Sequence, residues 1–293
     1  MTIAKKSKTK PTKKNNVQKE LINQKLRTRK AHKAKGVLII IGGNEDKEQQ
    51  MDILKLVAQR AGRGKIVVVT AASEIPHEVW PIYRNVFKSF NVDSAHLHIE
   101  QPADYSSKHY ETIFDGATAV FFTGGDQLKI TTKIGGSMIF GRIREIFKKG
   151  GLVAGTSAGA AIMGELMLVG TENTESHKVG HWMMAPGLGF TKSIIIDQHF
   201  AQRARIGRLL KAIAVNPGIL GVGIDENTAI VVENEGFQVV GENAVYVIDG
   251  THISYTNVAE ASLQQAMSMH DVRLHILSNG EFFDLSTRQA RSS

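Results

Sequence analysis

The chain has 293 residues, of which 42% are hydrophobic, so it can bury the core of one large domain or two small ones. It contains no cysteine, which excludes disulfide bonds and thiolate metal sites. No apolar run reaches the roughly 18 residues of a transmembrane helix, and the first residues lack the apolar segment of a signal peptide. We therefore expect a cytoplasmic protein that does not associate with membranes.

The net charge of +8 is concentrated at one end of the chain. Residues 1–35 carry 13 lysines and arginines against one acidic residue, Glu20, whereas the rest of the chain carries 23 basic and 27 acidic residues. Because this segment has no aromatic residue and few apolar ones, its composition predicts a disordered tail. It is either a solubilising extension or an arm that binds polyanions weakly. No repeat or linker follows, so we expect a single domain over residues 36–293.

From residue 36, short apolar strands alternate with helical stretches. We predict strands at 37–41, 66–69, 96–99, 119–122 and 152–154, and helices at 45–61, 78–90, 128–147 and 158–167, the third interrupted at Gly135-Gly136. Fully apolar strands separated by helices are typical of a parallel sheet covered on both faces. Ligands bind at the carboxyl ends of such strands. Three of these ends carry glycine-rich turns that we expect to converge: Gly42-Gly43, Gly124-Gly125 and Gly155-Thr156-Ser157.

After residue 165 the pattern becomes rich in strands. We predict a strand at 194–196, a helix that carries Arg203, Arg205 and Arg208, and a strand at 220–224. Strands at 229–233, 238–240 and 244–248 are separated by turns that contain glycine, which indicates a series of hairpins. A short strand pair follows from about residue 273. The sequence therefore predicts an α/β fold with a mainly parallel sheet and a β-rich C-terminal part.

Ser157 lies in the segment Gly155-Thr156-Ser157-Ala158-Gly159, between the strand 152–154 and the predicted helix 158–167. A strand, a sharp turn that carries serine, and a helix are the context of a nucleophile elbow. The flanking glycines allow the strand and the helix to approach closely. The bare pattern is weak, because a glycine-rich turn with a capping serine also matches it. The surrounding strand and helix favour the nucleophile.

A serine nucleophile needs a base, and the base needs an acid that fixes its tautomer. Among the 11 histidines, His199 stands out because it follows the apolar strand 194–196 and has polar neighbours. Glu226 lies at the end of the apolar strand 220–224, within a polar Asp-Glu-Asn cluster. We therefore predict a triad of Ser157, His199 and Glu226. A solvated turn is the alternative interpretation of Glu226.

The order of the predicted triad along the chain is serine, histidine, acid. The α/β-hydrolases have the order serine, acid, histidine, so the sequence argues against that fold. A serine mechanism also needs backbone N–H groups directed at the developing oxyanion. Ala158 can supply one from the helix N-terminus, and the turn after the strand 119–122 can supply another. We predict an oxyanion hole formed by Gly125, Asp126 and Ala158.

Four segments of the chain together resemble one known family. They are Thr123-Gly124-Gly125-Asp126-Gln127, Gly155-Thr156-Ser157-Ala158-Gly159-Ala160, Ile196-Asp197-Gln198-His199-Phe200 with the three arginines that follow, and Gly223-Ile224-Asp225-Glu226-Asn227. Gly42-Gly43-Asn44-Glu45-Asp46-Lys47 is similar to the family's Gly-Gly-Ala-Glu-Asp-Lys motif, with Asn44 in place of Ala. From about residue 36 to its C-terminal region, the sequence resembles the cyanophycinases, S51-type serine peptidases related to aspartyl dipeptidase.

This resemblance implies a class I glutamine-amidotransferase-like three-layer α/β sandwich, a homodimer, and catalysis without a metal or cofactor. It implies that Ser157 is the nucleophile, His199 the base and Glu226 the third member of the triad. The implied substrate is cyanophycin, a poly-aspartate chain that carries arginine on each side chain through an isopeptide bond. The implied products are β-Asp-Arg dipeptides.

Each repeat of that substrate offers a carboxylate and a guanidinium, so the pocket needs both signs of charge. Arginine side chains can bind carboxylates through forked hydrogen bonds, for which we propose Arg203, Arg205 and Arg208. Acceptors for the guanidinium or amide groups are Gln127, Asp197 and Gln198. A solvated helix face is the alternative interpretation of the arginines.

Two other functions stay open at this point. A close relative that cleaves α-aspartyl dipeptides would share the triad and have a smaller pocket. A non-catalytic nucleotide- or anion-binding α/β protein could use the Gly-Gly turns as anion cradles. The sequence has neither a P-loop lysine nor a G-x-G-x-x-G motif, which argues against the second alternative.

Overall fold

The computed structural model describes residues 36–100, 108–170, 183–262 and 264–292. The predicted tail, residues 1–35, lies outside the described residues. No helix in the described part of the chain has both the length and the apolar composition needed to cross a bilayer.

Helices and strands alternate in the first half of the described chain, and strands predominate in the second half. The helices are α1 (Asp52–Ala61), α2 (Pro76–Ser89), α3 (Lys108–Ile113), α4 (Gln127–Ile134), α5 (Met138–Lys148), α6 (Ala158–Ala161) and α7 (Ile206–Val215). The first strands are β1 (Val37–Ile41), β2 (Lys65–Val69), β3 (Ser94–Leu97), β4 (Ala117–Phe122), β5 (Leu152–Thr156), β6 (Leu166–Val169), β7 (Met183–Pro186) and β8 (Ile194–Gln198). The later strands are β9 (Leu220–Ile224), β10 (Thr228–Glu233), β11 (Gly236–Gly241), β12 (Val245–Asp249), β13 (Tyr255–Thr256), β14 (Met269–His270), β15 (Arg273–Leu277), β16 (Phe282–Asp284) and β17 (Gln289–Arg291).

A nine-stranded sheet, in the order β17-β16-β11-β10-β1-β5-β4-β2-β3, forms the centre of the molecule. The strands β1, β5, β4, β2 and β3 pair in parallel, so their carboxyl ends meet at one edge. From β10 to β17 the pairing is antiparallel. The predicted α/β class is confirmed, and the C-terminal β-rich part supplies the antiparallel half of the large sheet. The glutamine-amidotransferase-like assignment stays a prediction.

A second sheet contains four strands in the order β15-β12-β9-β8. The strands β8 and β9 are parallel, and β12 pairs antiparallel with both β9 and β15. The predicted hairpin series over 229–248 is therefore wrong at its third strand. The strands β10 and β11 form a hairpin in the large sheet, but β12 leaves it and pairs with β9 in the small one.

The two faces of the large sheet are covered by different elements. On β1, Ile39 and Ile41 pack with residues of α1 and α2, whereas Leu38 and Ile40 belong to a core that includes the small sheet and α5. Alternation along a strand directs successive side chains to opposite faces, so a fully apolar strand is needed where both faces are buried. The helix α7 covers the other face of the small sheet.

Three predicted helices differ from the observed ones. The helix predicted to carry Arg203, Arg205 and Arg208 begins only at Ile206, so Arg208 lies on it and the other two arginines precede it. The stretch 158–167 is helical only over α6, and the strand β6 already begins at Leu166. The stretch 45–61 is helical only from Asp52, because the Asp46 carboxylate accepts the backbone N–H groups of residues 48–51. This side-chain acceptor replaces the carbonyls that a helix would offer.

Candidate active site

Three polar side chains form one continuous chain of hydrogen bonds at the carboxyl ends of β5, β8 and β9. The Ser157 Oγ lies 2.9 Å from His199 Nε2, and His199 Nδ1 lies 2.6 Å from Glu226 Oε1. The structure therefore brings together the three residues that were predicted to form a triad. A nucleophile, a base and an orienting acid within hydrogen-bond distance are the arrangement expected of an activated serine.

Ser157 occupies a strained turn between β5 and α6. Its backbone angles are φ 53° and ψ −114°, a region that residues with a side chain rarely adopt. A Cβ on Gly155 would lie 2.3 Å from the Gly159 carbonyl, and one on Gly159 would lie 2.3 Å from the Phe122 carbonyl. The flanking glycines are therefore needed for the close approach of strand and helix, as in a nucleophile elbow.

The turn that follows β1 contacts both the backbone and the side chain of His199. Its backbone N–H donates to the Gly42 carbonyl at 2.7 Å, and the imidazole ring packs directly on Gly43. A Cβ on Gly43 would lie 2.3 Å from His199 Cε1 and 2.5 Å from Nε2. Only glycine fits under the ring, and the Gly43 φ of +105° also favours glycine.

We expect Gly43→Ala to lower kcat/KM by about 10²-fold, because the added methyl group must displace the imidazole from Ser157. Gly136→Ala is the matched control, since Gly136 has a φ of +73° and a Cβ added there would meet no atom within 4 Å. Steady-state kinetics of both variants, with circular dichroism to verify folding, make the test. Equal losses in the two variants would show that backbone strain, and not contact with His199, causes the effect.

The electrostatics of the pair keep the imidazole neutral and the carboxylate charged. Burial lowers the pKa of His199, although the hydrogen bond with Glu226 raises it in part. The hydrogen bond from His199 lowers the pKa of Glu226, and a second hydrogen bond from Asn44 lowers it further. At neutral pH, His199 can therefore accept a proton from Ser157 while Glu226 holds the Nδ1–H tautomer.

The turn after β4 lies beside Ser157, but it does not offer all the predicted donors. The Asp126 N–H donates to the Ala72 carbonyl at 3.1 Å, and the Asp126 carboxylate caps α4 by accepting the Leu128 N–H at 2.8 Å. Asp126 is thus not available to an oxyanion, which corrects that part of the prediction. Within the described residues, the N–H groups of Gly125 and Ala158 have no hydrogen-bond partner.

Several predicted substrate-binding residues are engaged inside the protein. Asp197 is 0% exposed, and its carboxylate pairs with Arg208 through Nε at 2.7 Å and through Nη2, and with Arg205 at 3.4 Å. Arg205 also donates to the backbone carbonyl and the side-chain oxygen of Gln198. The structure therefore does not support direct substrate contacts for these four residues. These four residues form an internal ion-pair network. They therefore belong neither to a solvated helix face nor to a substrate pocket.

Gln127 and Arg203 differ from that network. The Gln127 side chain is half-buried and donates to the Leu168 carbonyl at 2.9 Å, which leaves its oxygen without a hydrogen-bond partner among the described residues. Arg203 is exposed, precedes α7, and has no ion-pair partner within the described part of the chain. Its charge lies close enough to lower the pKa of both His199 and Glu226. Arg203 is thus the one of the three predicted arginines whose guanidinium faces solvent beside the triad.

The residues that support Glu226 and the β1 turn were not among the predicted site residues. Asn44 donates to Glu226 Oε2 at 3.0 Å, and the Gln202 side chain accepts the Glu226 N–H at 3.2 Å. Glu45 is buried and accepts hydrogen bonds from Tyr83 and Thr156. One sequence feature could have identified them: residues 44–45 directly follow the Gly-Gly turn at the end of a predicted strand.

The described residues contain no group of three or more His, Asp or Glu side chains placed to hold a metal ion. The site supplies the Ser157 hydroxyl, the neutral His199 imidazole, the Glu226 carboxylate and two backbone N–H donors. Together they can activate a serine hydroxyl and stabilise an oxyanion, which is the chemistry of acyl transfer.

Known proteins match this chain over most of its length. The profile of Peptidase family S51 matches residues 38–240. A cyanophycinase of Nostoc sp. is 35% identical over 278 residues and covers 93% of either chain. A cyanophycinase of Synechococcus elongatus is 34% identical over 262 residues, covering 88% of this chain and 81% of its own.

Solved structures are similar in fold. A peptidase from an acI-B1 Actinobacterium has a TM-score of 0.64 at 19% identity, covering 86% of this chain and 98% of its own. A putative Peptidase E from Listeria monocytogenes has a TM-score of 0.51 at 14% identity, covering 72% of this chain and 100% of its own. The family profile and the two cyanophycinases, with most of the chain matched, lead to one conclusion: the chain is a peptidase and belongs to peptidase family S51.

Proposed function

We propose that the protein is a serine-type cyanophycinase that acts through an acyl-enzyme on Ser157. The observation that carries the proposal is the hydrogen-bonded chain from Ser157 through His199 to Glu226, with distances of 2.9 and 2.6 Å. Membership of a peptidase family argues against the alternative of a non-catalytic anion-binding protein.

In the proposed first half-reaction, the Ser157 Oγ attacks the substrate carbonyl while His199 Nε2 takes its proton. Glu226 stabilises the resulting imidazolium through Nδ1–H. The oxyanion accepts hydrogen bonds from the N–H groups of Gly125 and Ala158. The tetrahedral intermediate collapses, the C–N bond breaks, and the leaving amine takes the proton from His199.

In the second half-reaction, His199 removes a proton from water, and the hydroxide attacks the ester carbonyl of the acyl-enzyme. The second tetrahedral intermediate expels Ser157, which recovers its proton from the imidazolium. One water molecule is consumed, and a free carboxylate and a free amine are produced. No metal or cofactor is required in this scheme.

Cyanophycin is the proposed substrate for two reasons. The curated relatives that match over most of the chain are named cyanophycinase. Arg203 also places an exposed guanidinium beside the triad, where a substrate carboxylate can bind it. An α-aspartyl dipeptide is a smaller substrate that the same triad could cleave, and it stays the alternative.

The direct test is incubation of the purified protein with cyanophycin and with α-Asp-Arg in parallel, followed by mass analysis. We expect release of β-Asp-Arg from the polymer, with much slower cleavage of the α-linked dipeptide. Cleavage of the dipeptide alone would support the alternative substrate. Ser157→Ala protein serves as the control for contaminating peptidases.

We expect Arg203→Ala to raise KM by about 10-fold with little change in kcat, since a charge-assisted contact formed equally in the ground and transition states affects binding alone. Arg84→Ala, on the exposed side of α2, is the matched control and should leave both constants unchanged. Steady-state kinetics at fixed ionic strength measure the effect. Wild-type constants in Arg203→Ala would return this arginine to the role of a solvated surface residue.

We further propose that the enzyme is a homodimer in the cytoplasm, as the family resemblance implies. The segment 1–35 is proposed to bind polyanions weakly through its lysines, and residues 36–293 are proposed to form the catalytic domain. Counterion release makes such binding weaken steeply with added salt.

A further inference from the structure

Asn44 lies against the far side of the Glu226 carboxylate. Its Nδ2 donates to Glu226 Oε2 at 3.0 Å, while the other oxygen, Oε1, bonds to His199. Among the described residues, each oxygen of the carboxylate thus has one side-chain partner.

The turn that carries Asn44 is held together without its side chain. The Asn227 N–H donates to the Gly43 carbonyl at 2.9 Å, and the Asp46 N–H donates to the Asn227 side chain at 2.9 Å. Asn44 itself has a φ of 46°, a left-handed conformation that asparagine tolerates better than most residues. Within the described residues, the hydrogen bond to Glu226 is the only one that the Asn44 side chain makes. Its amide is therefore not required to shape the turn.

We infer that Asn44 is a positioning residue of the catalytic acid, an inference that rests on the proposed serine mechanism. The terminal torsion of a glutamate side chain is broad, so a single hydrogen bond to His199 does not fix the plane of the carboxylate. The Asn44 amide fixes that plane, and it stabilises the ionised form of Glu226. Because an amide does not titrate, the donor is present at every pH.

The groups whose positive charge acts on Glu226 are Arg203 and, once it is protonated, His199. Both favour the ionised carboxylate, as does the Asn44 hydrogen bond. Loss of the amide raises the pKa of Glu226, and a carboxylate in its place raises it further through repulsion. Protonation of Glu226 removes the acceptor that holds the His199 tautomer. Because His199 must be neutral to accept the Ser157 proton, the acidic limb of the pH profile reports the coupled His199–Glu226 pair, and a carboxylate at residue 44 displaces that limb to higher pH by raising the pKa of both groups.

Two substitutions separate the side chain from the backbone conformation. Asn44→Gly removes the amide and keeps the left-handed turn at no steric cost, while Asn44→Asp keeps the shape and replaces the donor by a charge. We expect Asn44→Gly to lower kcat about 10-fold with KM nearly unchanged, the loss of one hydrogen bond to a charged group. For Asn44→Asp we expect a larger loss, with the acidic limb of kcat/KM displaced to higher pH.

The measurement is the pH dependence of kcat and of kcat/KM for both variants, with thermal unfolding midpoints recorded alongside. Wild-type kcat and an unmoved acidic limb in both variants would overturn the inference. A loss of activity that follows a lowered unfolding midpoint, with the limb unmoved, would also overturn it, because that is the signature of a structural role. Wild-type activity in Ser157→Ala would overturn the proposed serine mechanism itself. That result is separate from the outcomes for the Asn44 variants, so failure of the mechanism and failure of this inference can be told apart.

Discussion

Replacing Ser157 by alanine is expected to lower kcat by about 10⁴- to 10⁶-fold, as the removal of a serine nucleophile does in other enzymes with a triad. The Oγ accepts or donates only one hydrogen bond among the described residues, to His199, so the fold should be unaffected. His199→Ala should cost a comparable factor, because nucleophile and base act as one unit. The double variant should therefore be little worse than either single one.

The measurement is single-turnover release of the dipeptide product, with far-ultraviolet circular dichroism to verify the fold. Ser193→Ala is the matched control, since Ser193 is exposed and lies before β8, at the end opposite His199. Retention of most activity in Ser157→Ala would show that another group attacks the substrate. Additive losses in the double variant would show that Ser157 and His199 work independently.

Replacing Arg208 by methionine is expected to lower the free energy of unfolding by about 3–5 kcal/mol, the typical cost of removing one partner of a buried ion pair. Asp197 is 0% exposed, and Arg208 is the partner that binds both of its oxygens. Without Arg208, Asp197 Oδ1 keeps the Gln198 N–H at 3.0 Å and Arg205 at 3.4 Å, while Oδ2 has no hydrogen-bond partner left among the described residues. A buried charge that is poorly compensated costs more than the lost contact itself.

Equilibrium unfolding in urea measures this effect. Arg142→Met is the matched control, because Arg142 pairs with Glu145 at 2.9 Å on the surface, where both side chains are more than 40% exposed. A surface pair of this kind contributes about 0–1 kcal/mol. If the free energy of unfolding falls by the same small amount in both variants, the stability of buried Asp197 does not depend on Arg208. Arg205 and Arg208 would then again be candidates for substrate binding.

The apolar strands could be predicted from the sequence because both of their faces are buried. The predictions at 37–41 and 220–224 match β1 and β9 residue for residue. The stretch 158–167 could not be assigned correctly, since a short apolar run fits a buried helix and a strand equally well. The departure of β12 from the hairpin series was also hidden, because the partner of a strand is chosen by long-range packing.

The candidate site was predicted to the extent that it lies at strand ends. Ser157, His199 and Glu226 are polar residues that follow apolar strands, a position that local sequence reveals. Asp197 was misassigned because it looks identical in sequence to a polar residue at the rim, and only the fold shows that it is buried with two arginines. Asn44 was overlooked as a partner because its distance from Glu226 along the chain conceals their contact.

The two sheets contribute different halves of the triad: Ser157 follows β5 of the large sheet, whereas His199 and Glu226 follow β8 and β9 of the small one. The backbone of Gly42 spans the seam, with its N–H on the Thr228 carbonyl and its carbonyl on the His199 N–H. Under the proposed mechanism, hydrolysis therefore requires that the two sheets stay packed against each other. A small separation of the two sheets at this contact would inactivate the enzyme while both sheets stay folded. We therefore expect inactivation by heat or denaturant to precede the loss of secondary structure.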